Sequence, residues 1–221
     1  MIISKRLKTI GDFVNENDVV ADIGADHGLL ELYLIAKFRN ISLLAIENKE
    51  GPFSILESKL RAFKNVRLSF SDGLTAVDRT INCLIIAGMG GLNIQKILTD
   101  KSKKLTRIKK IIIDAHRDAS IARRTLVSLK YEIKSERIVF EQDKFYVISL
   151  FSKCDKVKKY KSDIYDIGYK LYEDELWPKY KEYLISKNNK TIEKIKDLEN
   201  MQDIVLSIEK FNERIEQYGK N

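Results

Sequence analysis

Asp22, Asp26 and His27 stand within six residues of one another in VVADIGADHGLLELYL, residues 19–34, with glycines at positions 24 and 28. An apolar run that ends in a carboxylate, meets spaced glycines and resumes helical apolar spacing at Leu29 is built like a strand-turn-helix nucleotide site. There the first carboxylate orders the loop, the glycines let backbone approach the ligand, and the helix start presents free amides. The middle glycine of such a turn is missing here: Asp26 takes its place, followed by His27, one of two histidines in the chain. An anionic side chain pointing into the loop would repel a pyrophosphate but tolerate a sulfonium cation. The turn therefore favours S-adenosylmethionine over a dinucleotide, with Asp22, Gly24, Asp26 and Gly28 as candidate cofactor residues. For the chemistry itself the candidates are Asp26, near charge that grows on a methylated ring, and His27, stacked on or hydrogen-bonded to a base. Equally open are a purely structural Asp26 that binds loop amides and a His27 satisfied by nearby backbone.

Three further segments supply what such a cofactor needs. LLAIENKEGP puts Glu47, with Asn48 beside it, about 20 residues beyond the turn, where a carboxylate accepts from ribose hydroxyls. FSDGL offers Asp72 to an adenine amino group beside Gly73. AGMGG, residues 87–91, brings Gly88, Met89, Gly90 and Gly91 to a backbone that approaches something closely. Gly88 and Met89 are expected on the cofactor side, Gly90 and Gly91 on the substrate side. The Asn/Asp-Pro-Pro-aromatic signature of exocyclic-amine methylation is absent, which favours a ring nitrogen as acceptor. Each of these features also occurs at ordinary turns; their common place, at the ends of successive strands, is what unites them.

The elements that must position them follow from apolar runs at 19–23, 41–46, 66–70, 81–87, 108–113, 133–140 and 145–151. Helically spaced apolar residues separate the first six, as in Ile55, Leu56, Leu60 and Phe63. Strand and helix alternate, so an α/β Rossmann-like sheet of seven strands is expected. Only EQDK separates the last two runs, so the final strand should enter antiparallel. That is the order typical of class I methyltransferases. After residue 153 the stretch CDKVKKYKS reads as a linker, followed by two apolar stripes that should pair as a C-terminal antiparallel helical hairpin across SKNN, residues 186–189. The expected division is 1–153 for cofactor binding and 154–221 for the helical domain.

Composition bounds the class. With 44% hydrophobic residues in 221, the chain can bury one good core and a small accessory unit. No apolar run reaches the roughly 20 residues of a membrane span, and MIISKRLKTI lacks a signal-peptide core. A soluble, cytoplasmic protein with both cysteines reduced, no metal site and a monomeric state is expected. The net charge of +8 is uneven: residues 1–152 carry +7 and residues 153–221 only +1. A basic front domain suits a polyanion such as RNA. Candidates for such a footprint are Lys5, Arg6, the LTRIKK run near 105–110, Arg117, Arg123 and Arg124.

Taken together, SKRL at 4–7, ADIGADHGLL at 21–30, EGPF at 50–53, DGL at 72–74, IAGMGG at 86–91 and EQDKFY at 141–146 closely resemble the bacterial tRNA adenine-N1 methyltransferase family that modifies adenine 22. The resemblance implies a tRNA partner, transfer to N1 from S-adenosylmethionine, and substrate contacts at Arg6 and Arg123. IDAH at 113–116 departs from the family's usual Leu-Gln-Pro-Asn and leaves His116 unassigned; Ala25 replaces a usual serine. The rival readings are a non-catalytic tRNA-binding module on the same fold, a methyltransferase acting on another RNA, and a small-molecule oxidoreductase. Retention of Gly24, Glu47, Asp72 and Gly88 weighs against the first.

Overall fold

The structure is a computed structural model that describes residues 3–220. Its first helix, α1, spans Lys5–Asp12, and an alternation of strand and helix then builds the front of the chain. In order these are β1 (Val19–Ile23), α2 (Leu29–Lys37), β2 (Ser42–Glu47), α3 (Glu50–Leu60), β3 (Val66–Phe70), β4 (Cys83–Gly90), α4 (Gly91–Asp100), β5 (Lys110–Arg117), α5 (Ala119–Ser128), β6 (Tyr131–Glu141) and β7 (Lys144–Lys153). The strands form one seven-stranded sheet in the order β3-β2-β1-β4-β5-β7-β6. β7 is antiparallel to both neighbours, and the other adjacent pairs are parallel. The seven expected strands are all present, because continuous runs such as LIIA at 84–87 and III at 111–113 bury on both faces of a helix-covered sheet. The order reverses beside β1, where β2 lies on one side and β4 on the other, so a ligand crevice belongs at the carboxyl ends of these strands.

Two apolar layers hold the sheet. One packs Ile23, Ile46, Leu84, Ile86, Ile94, Ile113 and Leu126 on one face; the other packs Ile10, Val20, Leu34, Leu43, Ile85, Ile112 and Ile148 on the opposite face. The second includes α1, whose entry is fixed twice. Ser4 Oγ accepts from Leu7 N (3.1 Å), an N-cap. The carboxylate of Glu141, at the end of β6, accepts from Lys5 N (2.8 Å) and Arg6 N (3.4 Å). The SKRL and EQDKFY segments thus meet in space.

Beyond β7 come a short helix α6 (Ser162–Asp166), a 3-10 turn at Leu171–Glu173, and two long helices, α7 (Trp177–Ile195) and α8 (Gln202–Gln217). The hairpin exists, but its turn is not at SKNN: α7 runs through residues 186–189 and the chain reverses at 196–201, with Asn200 at φ +63°. SKNN has neither glycine nor proline to stop a helix. Its asparagines instead lock the register, since Asn188 Nδ2 donates to Asn212 Oδ1 (2.7 Å) and Asn212 Nδ2 to Asn189 Oδ1 (2.9 Å). A third apolar cluster, of Ile138, Val147, Ile167, Leu171, Trp177, Ile215 and Tyr218, joins these helices to the β6–β7 ribbon. Among the described residues no helix is long and apolar enough to cross a membrane.

Candidate functional site

A cavity of about 580 Å³ opens at the carboxyl ends of β1 to β4. Of the residues expected to hold a cofactor, Gly24, Asn48, Asp72, Gly73, Gly88 and Met89 line it, and so does Gly90. Asn48 Nδ2 donates to Asp72 Oδ1 (3.1 Å), which ties the ends of β2 and β3 into one polar wall. Gly24 (φ +79°) and Gly88 (φ +80°) occupy left-handed backbone that favours glycine. A Cβ at Gly24 would also fall 2.6 Å from the Met89 Cε methyl, so turn and methionine are in direct packing. Asn93, Lys49, Lys96, Lys101 and Arg117 complete much of the wall and were not singled out as cofactor ligands from sequence.

The turn's amides are already used. Gly24 N and Ala25 N both donate to Ile46 O (2.8 and 2.9 Å), and Asp26 N donates to Glu47 Oε2 (3.1 Å). A pyrophosphate would find no free N–H at these three positions, so the turn is unsuited to a dinucleotide for a reason other than the one expected. Asp26 does not point into the loop. At φ +51° its carboxylate reaches His27 Nδ1 at 2.8 Å, and the two side chains are 64% and 42% exposed. Neither residue lines the cavity, so the expected catalytic pair stands outside its wall.

Glu47 is buried and its carboxylate accepts from three backbone amides, those of Asp26, Asn48 (2.9 Å) and Lys49 (2.9 Å). A carboxylate has about four acceptor sites, so one remains for a ligand hydroxyl rather than two. Gly28 does not line the cavity, and a Cβ there would press on Leu56 and Leu60 of α3, both at 3.0 Å. At Gly91 a Cβ would collide with the Asp118 carbonyl where α4 meets α5, so close helix packing also requires this glycine. Arg123 is also corrected. It is 2% exposed, with Nε on Glu136 Oε1 (2.8 Å) and Nη1 on Tyr165 O (2.9 Å), and clamps α5 to β6 and the C-terminal segment. The LTRIKK run precedes β5 and so lies at the amino end of the strands, opposite the crevice. Arg124 pairs with Asp166 (2.7 Å); Arg117 alone of the basic candidates lines the cavity.

Two buried carboxyl groups escaped the sequence reading. Beneath the turn, Glu31 of α2 is 1% exposed, and among the described residues neither of its oxygens meets a donor other than the facing Asp22 carboxyl. Its neighbour is Asp22, itself buried. Burial, opposed by the Glu31 contact and reinforced by Glu47, pushes the Asp22 carboxyl up to about 6. Burial and the adjacent Asp22 raise Glu31 well above the usual carboxylate range, so the two share a proton rather than two charges. Glu31 sits in the first helical turn, where an acid reads as an ordinary dipole partner. The other is Asp114, fully buried on β5, whose Oδ2 binds Arg6 Nη1 at 3.0 Å. Among the described residues no three His, Cys, Asp or Glu side chains gather as metal ligands.

Comparison with known proteins adds four likenesses. The family described as "Methyltransferase domain" matches residues 3–149. The tRNA (adenine(22)-N(1))-methyltransferase of Bacillus subtilis (strain 168) is 30% identical over 164 residues, covering 72% of this chain and 68% of that one. A Streptococcus pneumoniae protein solved in complex with S-adenosyl-L-methionine is 25% identical with a TM-score of 0.81, covering 98% of this chain and 99% of that one. M. capricolum TrmK, solved with S-adenosyl-homocysteine, is 25% identical with a TM-score of 0.83, covering 99% and 98%.

Proposed function

The chain belongs to the methyltransferase domain family and, within it, to the tRNA (adenine(22)-N(1))-methyltransferases, and on that premise we propose that it methylates N1 of adenine 22 in tRNA. The observation that carries the reading is the cavity at the switch in strand order, walled by Asn48, Asp72 and Gly73 on one side and by Gly24, Gly88 and Met89 on the other. Its volume of about 580 Å³ suits a nucleoside-sized ligand. Asn48 and Asp72 would hold the adenine of S-adenosylmethionine, Glu47 one ribose hydroxyl, and the Gly24 turn the remainder of the molecule. When bound, the cofactor supplies an electrophilic methyl group on a sulfonium.

Adenine N1 already has a lone pair, so the chain's task is positioning rather than deprotonation. Gly88 and Gly90 let the acceptor approach the donor cavity without a side chain between them. Lys49, Lys96, Lys101 and Arg117 place four cations around that cavity against two carboxylates, Asp72 and Asp100, which favours an RNA backbone at its mouth. Residues 1–153 would carry the chemistry and residues 154–221 orient the tRNA. A cytoplasmic monomer completes the proposal. Incubation with S-adenosylmethionine and total tRNA, followed by nucleoside mass spectrometry, should yield 1-methyladenosine. Binding of tRNA without donor binding by calorimetry would instead favour the non-catalytic RNA-binding module.

A further inference from the structure

Gly88 lines the donor cavity, and a Cβ built on it would point to a second group of side chains, 3.8 Å from Arg6 Nη1 and 3.9 Å from His116 Cε1. One glycine therefore separates the cavity from a polar cluster assembled from α1, β5 and β7. In it Arg6 Nη1 lies 3.0 Å from Asp114 Oδ2 and 2.6 Å from His116 Nε2, and His116 Nε2 lies 3.3 Å from Asp114 Oδ2. Tyr146 packs on the histidine ring at 5.3 Å between centroids, and the Arg6 guanidinium sits 5.4 Å from the Tyr146 ring centroid.

This arrangement fixes the imidazole. An arginine N–H can only donate, so the 2.6 Å contact makes His116 Nε2 the acceptor and leaves the ring proton on Nδ1. Asp114 is fully buried and needs the Arg6 charge, and its partner is held in turn by Glu141 at the start of α1. The His116 side chain remains 40% exposed. The result is an oriented, partly open N–H donor beside the one-residue wall of the donor cavity, with Arg6 and Asp114 engaged in holding it.

Resting on the function proposed above, we propose that His116 contacts the target adenine, its Nδ1–H donating to a ring acceptor other than N1, and that Arg6 and Asp114 are positioning residues for it. A donor on N1 would compete for the lone pair that attacks the methyl group. A donor on N7 or N3 grips the base and leaves N1 free, and the two are distinguishable.

The test uses the full chain with tRNA carrying adenine, 7-deazaadenine or 3-deazaadenine at position 22. The parent should lose about tenfold in kcat/KM on one of the two deaza substrates, the loss of one hydrogen bond. His116→Ala should process that substrate and normal tRNA at equal rates, with donor affinity by calorimetry unchanged as evidence of an intact fold. His116→Asn, which carries an acceptor and a donor on one side chain, should restore part of the discrimination. Equal parental rates on all three tRNAs, discrimination that persists in His116→Ala, or an Asn variant no different from Ala would overturn the proposal. If the parent methylates no tRNA at all, the functional reading itself falls and takes the proposal with it.

Discussion

The buried Asp22–Glu31 pair makes stability depend on pH with a sign that can be worked out. An unfolded Glu31 loses its proton near pH 4.3, whereas the folded one keeps it well above that, and Asp22 behaves alike up to about 6. In that window the folded chain binds more protons than the unfolded one, so stability falls as pH rises. Glu31→Gln removes one share of this slope. Thermal melts should show the variant more stable than the parent at pH 8 and nearly equal to it at pH 4.5; the same gap at both values would contradict the shared proton. Asp26 gives a second expectation. Its φ of +51° suits asparagine, and its carboxylate faces His27, so Asp26→Asn should turn over close to the parent. Asp26→Val should instead lose about 1–2 kcal/mol of stability from strain. A tenfold fall in kcat for Asp26→Asn with donor affinity intact would return that carboxylate to the chemistry. At this scale the sequence was only partly informative. Asp72, Gly24, Gly88 and Met89 were legible because strand ends converge on one crevice. Arg123 was not, because a buried clamp has the same letter as a ligand. Asp114 lay inside an apolar run that reads as core.

At the scale of elements, the seven strands were legible because each is an apolar run closed by a turn, and the EQDK connection dictated the antiparallel end of the sheet. The helical hairpin was legible as a pair but not in its turn. Asparagines in a polar stretch carry the same signal in a loop and at an exposed register lock, and only the partner Asn212, 23 residues beyond Asn189, distinguishes them. Asn212→Ala breaks both amide bonds and should lower stability by about 1 kcal/mol, seen as a shifted urea midpoint. Donor affinity should not change, since no residue of α7 or α8 lines the donor cavity. A loss of donor binding would mean that the hairpin and the crevice are coupled.

At the scale of the whole molecule, the C-terminal segment is not a detachable appendage. The Ile138–Val147–Leu171–Trp177–Ile215 cluster and the Arg123–Tyr165 bond cross residue 153. Deleting residues 154–221 exposes an apolar ribbon and should lower Tm by about 10 °C or more. A truncated chain that melts like the parent would contradict this coupling. The four cations around the cavity predict that tRNA affinity falls steeply with salt, with a log-log slope of about −3 for roughly four phosphate contacts. A flat salt series would remove the footprint. The most direct test of the account locates the methyl group. Two transcripts of one tRNA, with adenine or guanine at position 22, are incubated with the protein and S-adenosylmethionine and read by reverse transcription, which stops at an N1-methylated base. A stop at position 22 in the adenine transcript alone is the predicted result; no stop, or a stop elsewhere in both, would contradict it.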